Sequence, residues 1–345
     1  MKIILLLLPC LVISFLHKPR PITPLIRVNE KLEKHDLVLQ NHSNDTNSKI
    51  HFENPTNKIT PFLQLIRYQS ILPTTVLSFS GGWIMNPSIT PRFLISIVIT
   101  LLVLSSSMIM NDLYDIHIDR INSPNRPLVT GKITIPEAIA ATVALIGTAE
   151  LCNMKIMPAN MQYITHGAIA LILLYTPVLK KIPLVKNLAC AALVSFSPFF
   201  SGLAAISATE LISQNRNYNI LLIALNTIFL GSLSNEILLD IKDRKGDKEN
   251  GIYTIPVITN KPVALTIAAS FTAYNLFSNS LSLAYLYNNL SFGCIYGFIL
   301  SPLFINLWKI YRNRYSRESI TQYMKMTNYP LIAILFYLCL LANRT

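Results

Sequence analysis

Long apolar runs separated by short polar loops fill the chain from about residue 70 to its end. Stretches near the roughly 20 residues needed to cross a bilayer occur at about 70–88, 92–112, 136–154, 161–178, 184–207, 218–239, 263–285, 290–309 and 326–342. They predict an all-α polytopic membrane protein with nine crossing helices. Ahead of them, Lys2 followed by the apolar run Ile3 to Leu16 has the length and flanking charge of a secretory signal, or of a tenth, uncleaved anchor. From His17 to about Thr60 the chain is rich in Asn, Lys and Pro without apolar periodicity, the composition of a disordered or removed segment. The expected division is a targeting segment over residues 1–60 and a membrane domain over residues 61–345.

Composition agrees with the pattern. Of 345 residues, 52% are hydrophobic and only 13% charged, with mean hydropathy +0.44, whereas a soluble domain carries about a quarter charged residues. The net charge of +12 would suit a nucleic-acid partner if the cations shared one soluble face. Instead they fall in alternate loops: Arg120, Arg126 and Lys132; Lys180, Lys181 and Lys186; Lys242, Arg244, Lys245, Lys248 and Lys261; Arg312, Arg314, Arg317 and Lys325. The positive-inside rule places these loops on one side of the bilayer, so the expected partner is lipid and not nucleic acid. The five cysteines, Cys10, Cys152, Cys190, Cys294 and Cys339, lie in apolar segments without paired spacing and read as buried thiols.

Charge also bears on the compartment. A simple signal peptide would export residues 17–60 and put the basic loops on the lumenal side, against the rule. A signal that forms the first half of a two-part address, followed by a basic stretch directing import into a plastid, removes the conflict. Plastid membrane is therefore expected, with the endoplasmic reticulum or another endomembrane as the alternative.

Against this apolar background two acidic segments stand out. Asp112, Asp115 and Asp119 follow the second run, and Asp240, Asp243 and Asp247 follow the sixth, at the same relative positions and on the same basic side. Offsets of three and seven residues bring each triplet onto one helical face. Six aspartates in hydrocarbon would cost on the order of 15 to 20 kcal/mol, so they must lie at the membrane boundary or line a polar cavity. All-carboxylate sites suit hard divalent ions, and Mg2+ is commonly shared with substrate phosphates. Two such patches facing each other would hold a metal-bridged diphosphate. Pro124 and Pro127 stop the first helix, leaving Arg126 in a loop from which a guanidinium can clamp phosphate oxygens. Glu236 precedes Asp240 by four residues and shares its face, while Gly246 and Gly251 loosen the end of that helix. His117 falls off the aspartate stripe, and His166 lies within the fourth run without a paired ligand, where it is polar at membrane depth and open to contact with an acceptor.

The segments Asn111-Asp112-Leu113-Tyr114-Asp115-Ile116-His117-Ile118-Asp119 and Asp240-Ile241-Lys242-Asp243-Arg244-Lys245-Gly246-Asp247 resemble the NDxxDxxxD and DxxDxxxD motifs of the UbiA-type intramembrane prenyltransferases. The resemblance covers about residues 62–342 and implies nine transmembrane helices around a central apolar cavity with a polar cap. It implies transfer of a prenyl group from an isoprenoid diphosphate to a lipophilic acceptor. Two Mg2+ ions would be held by Asp112, Asp115, Asp119, Asp240, Asp243 and Asp247, with Asp115, Asp243 and Lys180 central to catalysis. Tyr175 to Lys180 looks like the family's YxxxxK element, with Lys181 able to substitute for Lys180. Arg67 resembles the family's Arg-Pro start, although Tyr68 replaces the proline. Arg67, Asn111, Arg126, Tyr175, Lys180 and Lys181 are thus the expected substrate-binding residues. The phrases around both motifs look closer to the digeranylgeranylglyceryl phosphate synthase and chlorophyll synthase branches than to haem-farnesylating enzymes. A homogentisate or other aromatic acceptor is the alternative. Lys245 and Lys248 replace the common Glu and Arg of the second motif's ending, which bears on substrate more than on catalysis.

Intramembrane aspartates also mark ion pathways, so a cation transporter is the rival from another class. It predicts acids at span centres and broken helices, whereas here the acids cluster at span ends.

Overall fold

The computed structural model describes residues 58–206, 215–249 and 251–342. The signal and targeting reading of the N-terminal segment lies almost wholly outside them. The described residues are helical apart from short turns.

A short helix α1 (Ile59–Leu65) leads through the 3-10 turn Tyr68–Ser70 into α2 (Ile71–Met85). Helix α3 (Pro91–Tyr114) starts where Thr90 caps the amide of Phe93 and Pro91 supplies the preset first position. It ends at Asp115, and α4 (Ile116–Asn122) follows directly. Helix α5 (Ile135–Ile156) opens with a capping box between Thr134 and Glu137, and Glu137 also pairs with Lys58. Then come α6 (Ala159–Tyr175), α7 (Val185–Ala204) and the long α8 (Asn215–Glu249). After the turn α9 (Ile255–Ile258), helices α10 (Lys261–Leu286), α11 (Leu290–Leu300), α12 (Pro302–Arg312) and α13 (Arg317–Ala342) complete the chain.

Eight of the nine apolar runs fall each on one of these helices and the run 290–309 on α11 and α12 together; among the described residues six segments, that pair included, are long and apolar enough to cross a bilayer by themselves. The three remaining runs, on α2, α6 and α10, fall short of that measure, each for a physical reason. Helices α2 and α6 are only 15 and 17 residues long. Helix α10 has 26 residues, but its inner face is polar: Asn275 Nδ2 donates to the Thr227 carbonyl at 2.9 Å, Asn279 Nδ2 to Asn275 Oδ1 at 2.8 Å, and Tyr296 Oη to Asn275 Oδ1 at 2.9 Å. These buried bonds join α8, α10 and α11 where apolar contact alone gives little association between helices in lipid. The run 290–309 is bent at Ser301–Pro302, where proline cannot continue the hydrogen-bond ladder.

Helix α8 packs against α2, α7, α10 and α13. One core joins α2, α3, α8, α11 and α13 through Ile84, Phe93, Ile220, Leu221, Tyr296 and Leu338. A second, of α3, α5, α6 and α7, contains Ile99, Met161 and Phe200. The large apolar side chains left outside, such as Leu72, Val143, Leu281 and Phe336, are exposed on outward helix faces, as lipid contact requires. Between the two cores lies a cavity of about 650 Å³ lined mainly by α2, α3, α6, α7 and α8. It is not ringed by all the helices: α5 and α10 to α12 contribute no lining residue. They pack behind the helices that do.

Candidate active site

The first aspartate triplet does not ride on one uninterrupted helix. Asp115 sits between α3 and α4 at φ −93°, ψ 6°, in the sparsely occupied bridge region where functional residues often lie. The ladder nevertheless runs through the kink, with the Asp115 amide donating to the Asn111 carbonyl at 3.0 Å and the Asp119 amide to the Asp115 carbonyl at 2.7 Å. The stripe therefore survives. Asp112, Asp115 and Asp119 are all buried, at 3%, 8% and 5% exposure.

Burial of carboxylates requires partners, and each finds a cation. Arg126, carried back by the loop after α4, places Nη1 2.6 Å from both Asp112 Oδ1 and Asp119 Oδ2. Arg67 Nη2 reaches Asp112 Oδ1 at 3.0 Å. Lys180, in the turn between α6 and α7, pairs with Asp115 and lies 3.4 Å from Asn111 Oδ1. Burial pushes the Asp119 carboxyl above the ordinary carboxylate range, while the guanidinium of Arg126 pulls it back.

The second triplet lies on α8, which runs well past the apolar stretch and carries the whole motif. Gly246 does not end this helix; the chain reverses further on, where Gly251 takes φ 68°. Ile252 and Thr254 then fold back, and Thr254 Oγ1 donates to Asp247 Oδ2 at 3.2 Å. Asp240 is 3% exposed and is held by Lys186 and by Asn187 Nδ2 at 3.0 Å, both from the first turn of α7. Asp243 accepts from Arg317 Nη2 at 3.2 Å. That contact exists because α13 begins at Arg317, ahead of its apolar run.

Two backbone positions set up this cluster. Arg67 has φ 51° and Leu184 φ 65°, conformations that cost of order 1–3 kcal/mol in residues other than glycine. The first turns the chain between α1 and α2 beside Asp112. The second begins α7 so that Lys186 and Asn187 face Asp240.

Asp115, Asp119, Asp240, Asp243 and Asp247 line the 650 Å³ cavity together with Arg67, Asn111, Arg126, Lys180, Lys186, Lys242 and Arg317. Asp112 lies behind the arginines, in an adjoining smaller pocket. Deeper in the cavity the walls are Leu77, Val103, Leu104, Met108, Ile172 and Leu193. The chamber is polar at the basic end and apolar toward the bilayer interior.

Among the described residues no three carboxylate, imidazole or thiol side chains converge as a preformed metal cluster. The donor set still suits Mg2+. It consists of carboxylate oxygens without imidazole or thiolate competitors, and five of the six aspartates are charge-compensated by Arg67, Arg126, Lys180, Lys186 or Arg317.

Several sequence expectations take a different form here. Tyr175 lines the cavity, but its hydroxyl lies 3.0 Å from Cys190 Sγ, so this cysteine is part of the chamber wall and not a thiol in packed core. Cys294 is exposed on the outer surface, and Cys10 lies outside the described residues. Arg244 turns away to donate to the Pro256 carbonyl at 2.6 Å. His117 is exposed. His166 does have a partner, Glu150 Oε2 at 3.0 Å, and neither lines the cavity. The side chain of Lys181 is not among the described ones. Lys186 and Arg317 gave no signal in the sequence because a lysine or arginine in a basic loop has the same appearance whether it orients the chain or serves the site, and Asn187 gave none because a single amide marks no pattern.

The model of the family described as "UbiA prenyltransferase family" matches residues 70–329. The chain is 29% identical over 226 residues to the digeranylgeranylglyceryl phosphate synthase of Sulfolobus acidocaldarius, covering 65% of this chain and 78% of that one. A solved structure concerning digeranylgeranylglyceryl phosphate synthase in membranes superposes with a TM-score of 0.63 at 22% identity, over 83% of this chain and 98% of that one. A UbiA homologue from Archaeoglobus fulgidus, bound to GPP and Mg2+, gives a TM-score of 0.55 at 18% identity, over 81% and 99% of the two chains. The family match spans both aspartate motifs and the helices that carry them, and the chain belongs to the UbiA prenyltransferase family of membrane-embedded enzymes that transfer prenyl groups.

Proposed function

We propose that this enzyme transfers a long prenyl group from its diphosphate to the hydroxyl of a glycerol-phosphate lipid. The observation that carries this reading is a single chamber whose cap holds both aspartate motifs and a ring of Arg and Lys, and whose depth is apolar. The names of the similar archaeal synthases support the acceptor class.

Asp115, Asp119, Asp240, Asp243 and Asp247, with Asp112 behind them, would hold two Mg2+ ions. Magnesium there supplies positive charge to a diphosphate as it departs. Arg67, Arg126, Lys180 and Lys186 exchange their carboxylate partners for phosphate oxygens, with Asn111 and Tyr175 bordering the substrate. Because these donors are fixed before the reaction, they stabilise the leaving charge without reorganisation. Leu77, Val103, Leu104 and Ile172 take the prenyl tail and exclude water from the allylic carbon. In this reading all nine apolar segments cross the bilayer, with the short α2 and α6 completing the bundle, and residues 1–60 form an address that delivers residues 61–345 to a plastid membrane.

Purified protein with Mg2+ and labelled geranylgeranyl diphosphate, offered geranylgeranylglyceryl phosphate, chlorophyllide and homogentisate in parallel, should yield an ether-linked product with the first, identified by mass. Product with homogentisate alone would replace the glycerol-phosphate reading by the aromatic one. A fluorescent fusion of residues 1–66 should reach plastids; fluorescence confined to the endoplasmic reticulum would overturn the address.

A further inference from the structure

An alcohol acceptor poses a problem that the cap does not solve. When its oxygen bonds to the allylic carbon, the hydroxyl proton must leave, and in the reading above the cap's aspartates are committed to Mg2+. One carboxylate on the chamber wall is placed differently. Glu236 precedes Asp240 by one helical turn on α8, so it lies about 6 Å deeper toward the apolar end. It lines the same cavity, and among the described residues it forms no ion pair within 4 Å. Cys190 and Tyr175 line the same cavity, with Tyr175 Oη 3.0 Å from Cys190 Sγ. Lys186 is near enough to act on it through space while bonded to Asp240.

We propose that Glu236 accepts the proton of the acceptor's hydroxyl, on a stretch of wall it shares with Cys190 and Tyr175. The assignment rests on the transfer to an alcohol proposed above. In the step, the allylic carbon–oxygen bond breaks with its electron pair leaving on diphosphate. A lone pair of the acceptor oxygen forms the new carbon–oxygen bond, and the O–H proton passes to the Glu236 carboxylate. It is lost to water on the basic side when the products depart. The location fits because the acceptor's oxygen must stand between the cap, where diphosphate is held, and the apolar depth.

The test compares wild type, Glu236→Gln and Glu236→Asp in Mg2+ and detergent. Wild-type transfer to geranylgeranylglyceryl phosphate decides the acceptor reading independently of the variants. Given that transfer, Glu236→Gln should lower kcat by about 10²- to 10⁴-fold, the usual contribution of a positioned base. Affinity for a non-hydrolysable prenyl diphosphate analogue should stay within about twofold of wild type, which also shows that the variant is folded. Glu236→Asp should restore part of the rate and keep the pH dependence that Glu236→Gln loses. Transfer by Glu236→Gln within threefold of wild type would overturn the assignment and leave the departing diphosphate as proton acceptor. A loss of analogue affinity in Glu236→Gln matching the loss in rate would also overturn it, making Glu236 part of the metal and diphosphate cap.

Discussion

Asp240 shows how the site is held when only protein is present. Its carboxylate is almost fully buried and its partners are Lys186 and Asn187. Removing one member of a buried ion pair costs roughly 3–5 kcal/mol, because the other is left uncompensated. Lys186→Met should therefore lower the melting temperature clearly in EDTA and recover much of the loss when Mg2+ is added; a loss that Mg2+ leaves unchanged would argue against metal at Asp240. Lys180→Met should behave likewise at Asp115 and should also raise KM for the prenyl diphosphate by tenfold or more. The aspartates were legible as a pattern because their spacing is regular and their cost in hydrocarbon is high. Their counter-ions were less so: Arg126 and Lys180 stood out, but Lys186 and Arg317 did not, since which cation meets which carboxylate depends on helices that meet only in the folded protein.

At the scale of elements, α2 and α7 approach so closely that a Cβ on Gly81 would stand 2.1 Å from the carbonyl oxygen of Pro198. Such backbone proximity is a common device of helices in lipid. Gly81→Ala should sharply reduce folded yield and thermal stability, whereas Gly167→Ala, with nothing within 4 Å of its Cβ, should be near neutral. Asn275 is the matching polar case. Asn275→Leu would remove the side-chain donor to the Thr227 carbonyl and partners of Asn279 and Tyr296, at a cost of about 1–2 kcal/mol. It should lower thermal stability and leave KM for diphosphate unchanged, because this network lies behind the chamber. Apolar runs identified the helices well. They misjudged α8 and α13, whose polar ends extend past the membrane-length stretch because the site itself supplies partners for them, and they did not reveal the kink at Asp115.

For the whole molecule, the chamber joins a charged cap to an apolar interior, and its ligands should stabilise it together. A prenyl diphosphate analogue with Mg2+ at about a hundred times its dissociation constant should add about 2.7 kcal/mol; the analogue in EDTA should add much less. Chelation should abolish turnover, with Mg2+ restoring it. Equal stabilisation with and without metal would remove the carboxylates from the metal-binding role.

The sequence by itself determined that the chain lives in a membrane and that its six aspartates must gather beside the basic loops, because hydropathy and charge act over local stretches of chain. Only the tertiary structure decided that Asp112 sits behind two arginines, that Lys186 and Arg317 complete the cap, and that Glu236 looks into the chamber beside Cys190. Those relations join residues far apart along the chain, and they are fixed by how α7, α8 and α13 pack, which no local pattern of polarity specifies.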